Sequence, residues 1–201
     1  MTSRCPWSLG VSAAYQAYHD QEWSVPALDD SIHFEFLILE SAQAGLSWRT
    51  VLHKRDGYRR GFAGFDPQLV ARYGEKEIEA LACDSGIIRN RLKIRAAVGN
   101  AAAFLRVAEE YGSFTRYIWQ FVDGAPIVNR WDRQDQVPAT SPESDRLSSD
   151  LKARGFKFVG STIMYSHMQA CGLINDHLVN CYRHAECREI WRRIKHRLPM
   201  R

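Results

Sequence analysis

The chain lacks the features that would commit it to a membrane or to the outside of a cell. No apolar run approaches the roughly 18 residues of a membrane span, and the opening "MTSRCPWSLG" has no basic stretch leading into an apolar one. Cysteine is sparse and odd in number. Cys5, Cys83, Cys171, Cys181 and Cys187 are spread over 201 residues, which suits reduced thiols or metal ligands better than a disulfide scaffold. These absences lead to the expectation of a soluble cytoplasmic protein. A basic coat is missing as well. The net charge is +4, but seven Lys or Arg against two Glu fall between Arg183 and Arg201, so the rest of the chain is close to neutral. Any nucleic-acid contact must therefore use local patches. Low-complexity tracts and internal repeats are absent, and alternating strand patterns are scarce, with "GFKFVG" the one short extended piece expected.

What is present is helical. A chain of this length buries roughly 70% of its unfolded surface, enough for a core with an enclosed site. Asp29, Asp30 or Ser31 can cap a helix reaching about Ala44, and Ser47 another reaching about Arg60. Asp66 and Pro67 open "FDPQLVARY", and "EKEIEALA" and "RLKIRAAVGNAAAFLRVAEEY" follow as helices around Gly86. Three more are "SFTRYIWQFV", "PESDRLSSDLKARG" and "STIMYSHMQACG", the last two stopping at Gly155 and Gly172. A final stripe of Ile190, Trp191, Ile194 and Leu198 marks an amphipathic helix in "AECREIWRRIKHRL". The expected fold is all-α.

Three constellations carry chemistry. In "FEFLILESAQAGLSW", helical spacing puts Glu40 on the same face as Phe36, Leu37 and Ala44, turned inward. Burying a carboxylate costs several kcal/mol unless it is paired, hydrogen-bonded or protonated, so Glu40 is either a rim carboxylate satisfied by a neighbour or an acid in a pocket. Trp7, Tyr15, Tyr18, Trp23 and Trp48 supply flat rings that either fill the core or, with Glu40, stack on a planar cationic ligand.

The second constellation pairs His177 with Cys181 at H-x3-C spacing, while Cys5 and His19 lie near the other terminus. Together the four make a closed zinc site that fastens the chain ends, or they are unrelated buried side chains. His184 and Cys187 are rival ligands by spacing. The third is "ALACDSGIIRNRLKIRAAVGNA". A helix, a short hairpin at Ser85, Gly86 and Ile87, and a second helix from near Arg89 would aim backbone N–H groups and basic side chains at a phosphate. The same stretch also reads as an ordinary glycine-broken helix pair.

Taken together, "RCPW", "AYHDQEW", "LESAQAGLSW", "SGIIRNRLKI", "GFKFVGSTIMYSHMQACGLINDH" and Cys181 resemble the 3-methyladenine DNA glycosylase I (Tag) family in order, over roughly residues 4 to 182. The resemblance implies an all-α helix-hairpin-helix glycosylase that flips 3-methyladenine out of double-stranded alkylated DNA and hydrolyses its N-glycosidic bond without lyase activity. It further implies one structural Zn2+ held by Cys5, His19, His177 and Cys181. The implied base pocket comprises Trp7, Tyr18, Trp23, Glu40 and Trp48, with Tyr15 at its margin and Glu40 the candidate catalytic group. DNA contacts are implied for the turn containing Gln43, Gly45 and Leu46, and for Gly86, Arg89, Arg91 and Lys93 of the hairpin.

The expected organisation is a glycosylase at residues 1–182, with a hairpin lobe over about 30–140 and a second lobe built from both chain ends. A basic helical extension follows at 183–201, and the whole is expected to be monomeric. Ser24 and Ser41 stand where the family commonly has Gly, and His167 where Phe is usual. The competing readings are a non-catalytic DNA-binding module with the same hairpin and metal, and a glycosylase for another alkylated purine.

Overall fold

A computed structural model describes residues 3–198; positions 199–201, the tip of the expected C-terminal extension, lie outside the described residues. The helices are α1 (Ala13–Gln21), α2 (Asp30–Gln43), α3 (Trp48–Leu52), α4 (Arg55–Gly61), α5 (Pro67–Val70), α6 (Glu75–Cys83), α7 (Arg91–Tyr111), α8 (Phe114–Trp119), α9 (Pro142–Ala153), α10 (Ser161–Ala170) and α11 (Tyr182–Ile194). Among the described residues the only strands are β1 (Ile127–Val128) and β2 (Ile174–Asn175), a two-residue parallel pairing. The chain is mostly helical, as expected, and no described helix is long and apolar enough to cross a membrane.

The middle of the molecule is α2, which packs against α3, α7, α8 and α10. Its side chains from Phe36 to Ala42 are all buried. A helix apolar nearly all round belongs inside a globule, so the burial of Glu40 follows from the position of α2 as a whole. Both ends of α2 are tied down. Asp29 accepts from the backbone N–H of Ser31 at 2.8 Å. Asp30 accepts from the backbone N–H groups of Phe114 and Thr115, both at 2.8 Å, linking α2 to the start of α8. At the other end the Lys93 ammonium donates to the carbonyls of Ala42 at 2.8 Å and Ala44 at 2.6 Å, satisfying acceptors the helix leaves open. Aromatic stacking of Phe104 on Phe114, with ring centroids 4.1 Å apart, closes the core beneath α2.

Some boundaries differ from the sequence reading. The segment after Ser47 is two helices, because Lys54 leaves helical geometry and its ammonium reaches the carbonyl of Ser85 at 2.6 Å. That break aims α4 at the hairpin. The hairpin's second helix begins at Arg91, where the stretch "RLKIRAAVGNAAAFLRVAEEY" sets it, with Asn90 as its cap. "GFKFVG" is a turn rather than an extended piece: Gly155 and Phe158 both have positive φ, and the Phe158 carbonyl accepts from the Ser41 hydroxyl at 3.1 Å. The C-terminal helix starts at Tyr182 and docks on the body. Trp191 stacks on Trp119 with centroids 4.9 Å apart, and Leu198 is buried.

The hairpin between α6 and α7 is seated by a close backbone approach. Buried Ile87 anchors it from below, and an added Cβ on Gly57 of α4 would stand 2.1 Å from the Gly86 carbonyl oxygen. Gly57→Ala is expected to lower stability by roughly 1–3 kcal/mol and displace the hairpin. Denaturant unfolding checks this, and an unaltered midpoint would contradict the seating.

Candidate functional site

A cavity of about 320 Å³ opens beside α2 and α10. Trp7, Tyr15, Tyr18, Trp23, Glu40 and Trp48 all line it, so the structure gathers the whole predicted aromatic set around the one carboxylate. The rings meet edge to face: Trp7 is 5.0 Å from Trp23 and 5.6 Å from Tyr15, centroid to centroid. Tyr18 and Trp48 lie 5.1 Å apart on the other side. Such packing fixes each ring and leaves flat faces for a ligand.

Glu40 is 4% exposed, and among the described residues it has neither a hydrogen-bond donor nor a cation as partner. Burial pushes its carboxyl up from 4.5 to about 8, so with no cation beside it the group is protonated at neutral pH. The Trp48 indole N–H is likewise buried without a partner. A carboxyl without a partner that lines the cavity is what a ligand with a complementary polar group would complete.

Sequence reasoning missed the opposite wall. Thr162, Tyr165, Ser166 and Gln169 of α10 line the cavity at helical spacing, a signal that was readable in "STIMYSHMQACG". A strap carrying Gln134, Val137, Pro138 and Ala139 also lines it and has no periodicity to betray it.

Gln43 closes a tight turn by accepting from the Leu46 N–H at 2.6 Å. Gly45 takes φ +78° within that turn, and Leu46 is left 41% exposed. A second opening of about 290 Å³ shares Glu40 and Gln43 with Ala44, Gly45 and Leu46, so the turn rims the entrance to the carboxylate. The predicted hairpin cations are divided. Arg89 is exposed and free of partners among the described residues, whereas Arg91 pairs with Glu79. Lys93 points inward to the end of α2, where two backbone carbonyls hold its ammonium. Gly86 donates its N–H to Asp84 at 2.7 Å, shaping the hairpin tip.

Cys5, His19, His177 and Cys181 come together, all buried, and could hold a metal ion. His19 offers Nε2 because its Nδ1 faces Asp20 at 2.8 Å, and the Arg4 guanidinium holds Asp20 well below the usual carboxylate range. His177 offers Nδ1 because its Nε2 faces the Trp23 carbonyl at 3.1 Å. The rivals fall away: His184 is bonded to the Asn129 carbonyl at 2.8 Å, and Cys187 is buried outside the cluster.

The departures have local explanations. Ser24 takes φ +62°, a conformation that glycine favours, and its hydroxyl donates to the Ile174 carbonyl at 3.2 Å. His167 is buried against His33 with ring nitrogens 3.4 Å apart, and His33 also contacts the Ala27 carbonyl through Nε2 at 3.2 Å. Burial holds both imidazoles neutral, His33 down at about 4, so the pair forms a hydrogen-bonded plug between α2 and α10.

A family model described as methyladenine glycosylase matches residues 7–184. The chain belongs to the methyladenine glycosylase family. Relatives of this glycosylase include DNA-3-methyladenine glycosylase 1 of Escherichia coli K12, 49% identical over 178 residues that cover 89% of this chain and 95% of the relative. The DNA-3-methyladenine glycosylase of Haemophilus influenzae is 45% identical over 181 residues, covering 90% and 97%. A crystal structure of 3-methyladenine DNA glycosylase I superimposes with a TM-score of 0.87 at 48% identity, covering 90% of this chain and 98% of the other. The structure of the Staphylococcus aureus enzyme that describes 3-methyladenine recognition gives 0.86 at 34%, covering 89% and 95%.

In this glycosylase the raised Glu40 carboxyl makes stability depend on pH. The unfolded chain loses that proton near 4.5 and the folded chain near 8, so stability falls as pH rises through that window and is level above it. Glu40→Gln cannot ionise. Its stability relative to the native chain is expected to climb across the same window to a few kcal/mol, measured by urea unfolding at several pH values. A difference that stays constant with pH would contradict the assignment.

Proposed function

We propose that this chain is a monofunctional DNA glycosylase that removes 3-methyladenine from alkylated duplex DNA. The observation that carries the reading is a buried carboxyl without a protein partner, walled by aromatic rings. Methylation at N3 makes the adenine cationic. That charge is what the cavity lacks: the rings attract it through their faces, and Glu40 can ionise beside it and accept from the exocyclic amine. Unmodified adenine brings no charge and leaves Glu40 neutral. The few kcal/mol spent in unstacking and unpairing the nucleotide are therefore offset best for the damaged base.

The bond to the sugar breaks with its electron pair moving into the base, which becomes neutral, while water adds to the sugar carbon and loses a proton to the solvent. Because positive charge leaves the base as this happens, Glu40 contributes mainly to selection and extrusion; the lesion's own charge makes it a good leaving group. The turn from Gln43 to Leu46 would fill the gap left by the flipped nucleotide, with Leu46 as its apolar wedge. The hairpin at Gly86, with Arg89 free and Arg91 tethered beside it, would anchor the backbone. A DNA-binding module without activity would have no use for a partnerless carboxyl in an aromatic cavity, which favours the enzyme.

The four Cys and His residues fit a structural Zn2+. Ligands about 2.3 Å (sulfur) and 2.0 Å (nitrogen) from a shared tetrahedral ion stand about 3.6 Å apart. The Cys5–His177, Cys181–His177 and Cys181–His19 separations are each 3.6 Å. Both imidazoles have their outer nitrogens engaged, as metal-bound histidines usually do. Four protein donors leave no open position, so such an ion would fasten the chain ends and brace Trp7 and Trp23, which pack on His19 and His177 at 5.1 and 4.6 Å.

Incubating the protein with methylated DNA and separating the released bases is expected to yield 3-methyladenine, with Glu40→Gln lowering kcat/KM about ten- to a hundredfold. No release would leave the binding module, a different base would change the substrate, and undiminished excision by Glu40→Gln would reject its role. Elemental analysis is expected to find one zinc per chain, and chelation to lower both the melting temperature and the affinity for free 3-methyladenine. A chain without zinc whose melting is indifferent to chelator would contradict the metal assignment.

A further inference from the structure

Asp176 is 1% exposed, and no cation pairs with it among the described residues. Four neutral donors converge on it instead. Asn129 Nδ2 and Trp131 Nε1 each donate to Oδ1 at 2.7 Å; the Tyr165 hydroxyl donates to Oδ2 at 2.6 Å and Gln169 Nε2 at 2.7 Å. The donors come from two separate pieces of the cavity wall. Tyr165 and Gln169 line the cavity from α10. Asn129 and Trp131 begin the strap that goes on to line it with Gln134 and Val137.

Past Trp131 the strap is held to the body by the packing of Val137 against the core and by few hydrogen bonds. The Val179 N–H donates to the Trp131 carbonyl at 3.0 Å, and the hydrogen bonds described between residues 132 and 137 stay within the strap. Such an arrangement gives a buried carboxylate a task. It can satisfy four donors at once, and each donor is thereby fixed in direction. The next residue, His177, braces the opposite wall through the Trp23 carbonyl, so adjacent positions set both sides of one cavity.

We propose that Asp176 is a positioning residue for base recognition, holding Tyr165, Gln169 and the Trp131 strap at the spacing a flipped purine requires. This rests on the reading of the cavity as the base pocket. Asp176→Asn keeps the shape but replaces an acceptor with an amide N–H2 facing donors. The expected result is a folded protein with its metal retained, an affinity for free 3-methyladenine reduced about tenfold, and a KM for methylated DNA that rises more than kcat falls.

Trp131→Phe removes a single strap donor and covers the case in which Asp176→Asn fails to fold; it is expected to weaken the same affinity severalfold. Leu151→Ala, a core change outside the Asp176 network, should lower stability and leave affinity intact. Folded Asp176→Asn or Trp131→Phe protein that binds the base as the native chain does would overturn the role of Asp176 alone. A native chain that does not bind 3-methyladenine would overturn the pocket reading, and this proposal with it.

Discussion

The account depends on one uncompensated burial: the Glu40 carboxyl, inside α2, with no donor or cation supplied among the described residues. A charge there costs several kcal/mol, so the empty protein holds the group neutral, up to about 8. A cationic planar ligand changes that balance, because the ion pair it completes is formed where water is excluded and the effective dielectric is low. On the proposed reading, the destabilised acid and the selectivity for a methylated base have one physical cause. A pocket with a salt-bridged glutamate would be more stable and would discriminate less.

The surrounding structure keeps that carboxyl in place without satisfying it. Lys93 spends its charge on the carbonyls of Ala42 and Ala44 and so fixes the turn that rims the opening, and Asp30 locks the other end of α2 to α8. The cavity's aromatic wall rests on the cluster of Cys5, His19, His177 and Cys181. Its polar wall rests on Asp176. The chain ends are joined where their contact braces the pocket: the Tyr182 N–H donates to the Ser3 carbonyl, and the Ala27 N–H to the Cys171 carbonyl. Gly172 permits the latter crossing, since a Cβ there would stand 2.4 Å from the backbone of Val25 and Pro26, at φ +69°.

Much of this was legible in the sequence wherever the cause is local. The span of α7, the Asp66 cap and the inward turn of Glu40 follow from spacing and capping chemistry within a few residues. Features that join distant segments were not. Cys5 and His19 have no motif linking them to His177, so residue types and spacing alone left the closed metal site and four unrelated buried side chains equally open. Nothing near Lys93 in the sequence reveals the two open carbonyls, of Ala42 and Ala44, that hold its ammonium. The two-residue pairing of β1 with β2 is too short to leave an alternating pattern, and the strap from Gln134 to Ala139 obeys no period at all. Nothing in the sequence links His33 to His167, whose rings only the fold brings together.

The most direct measurement is the titration of the Glu40 carboxyl itself, followed by carbon-13 NMR of labelled protein with Glu40→Gln for assignment. Without ligand the carboxyl is expected to titrate near 8, and with a non-hydrolysable nucleotide carrying the cationic N3-methylated adenine bound it should be ionised throughout the neutral range. A carboxyl that titrates at the ordinary value in the empty protein, or one whose titration is unmoved by the base, would contradict the account.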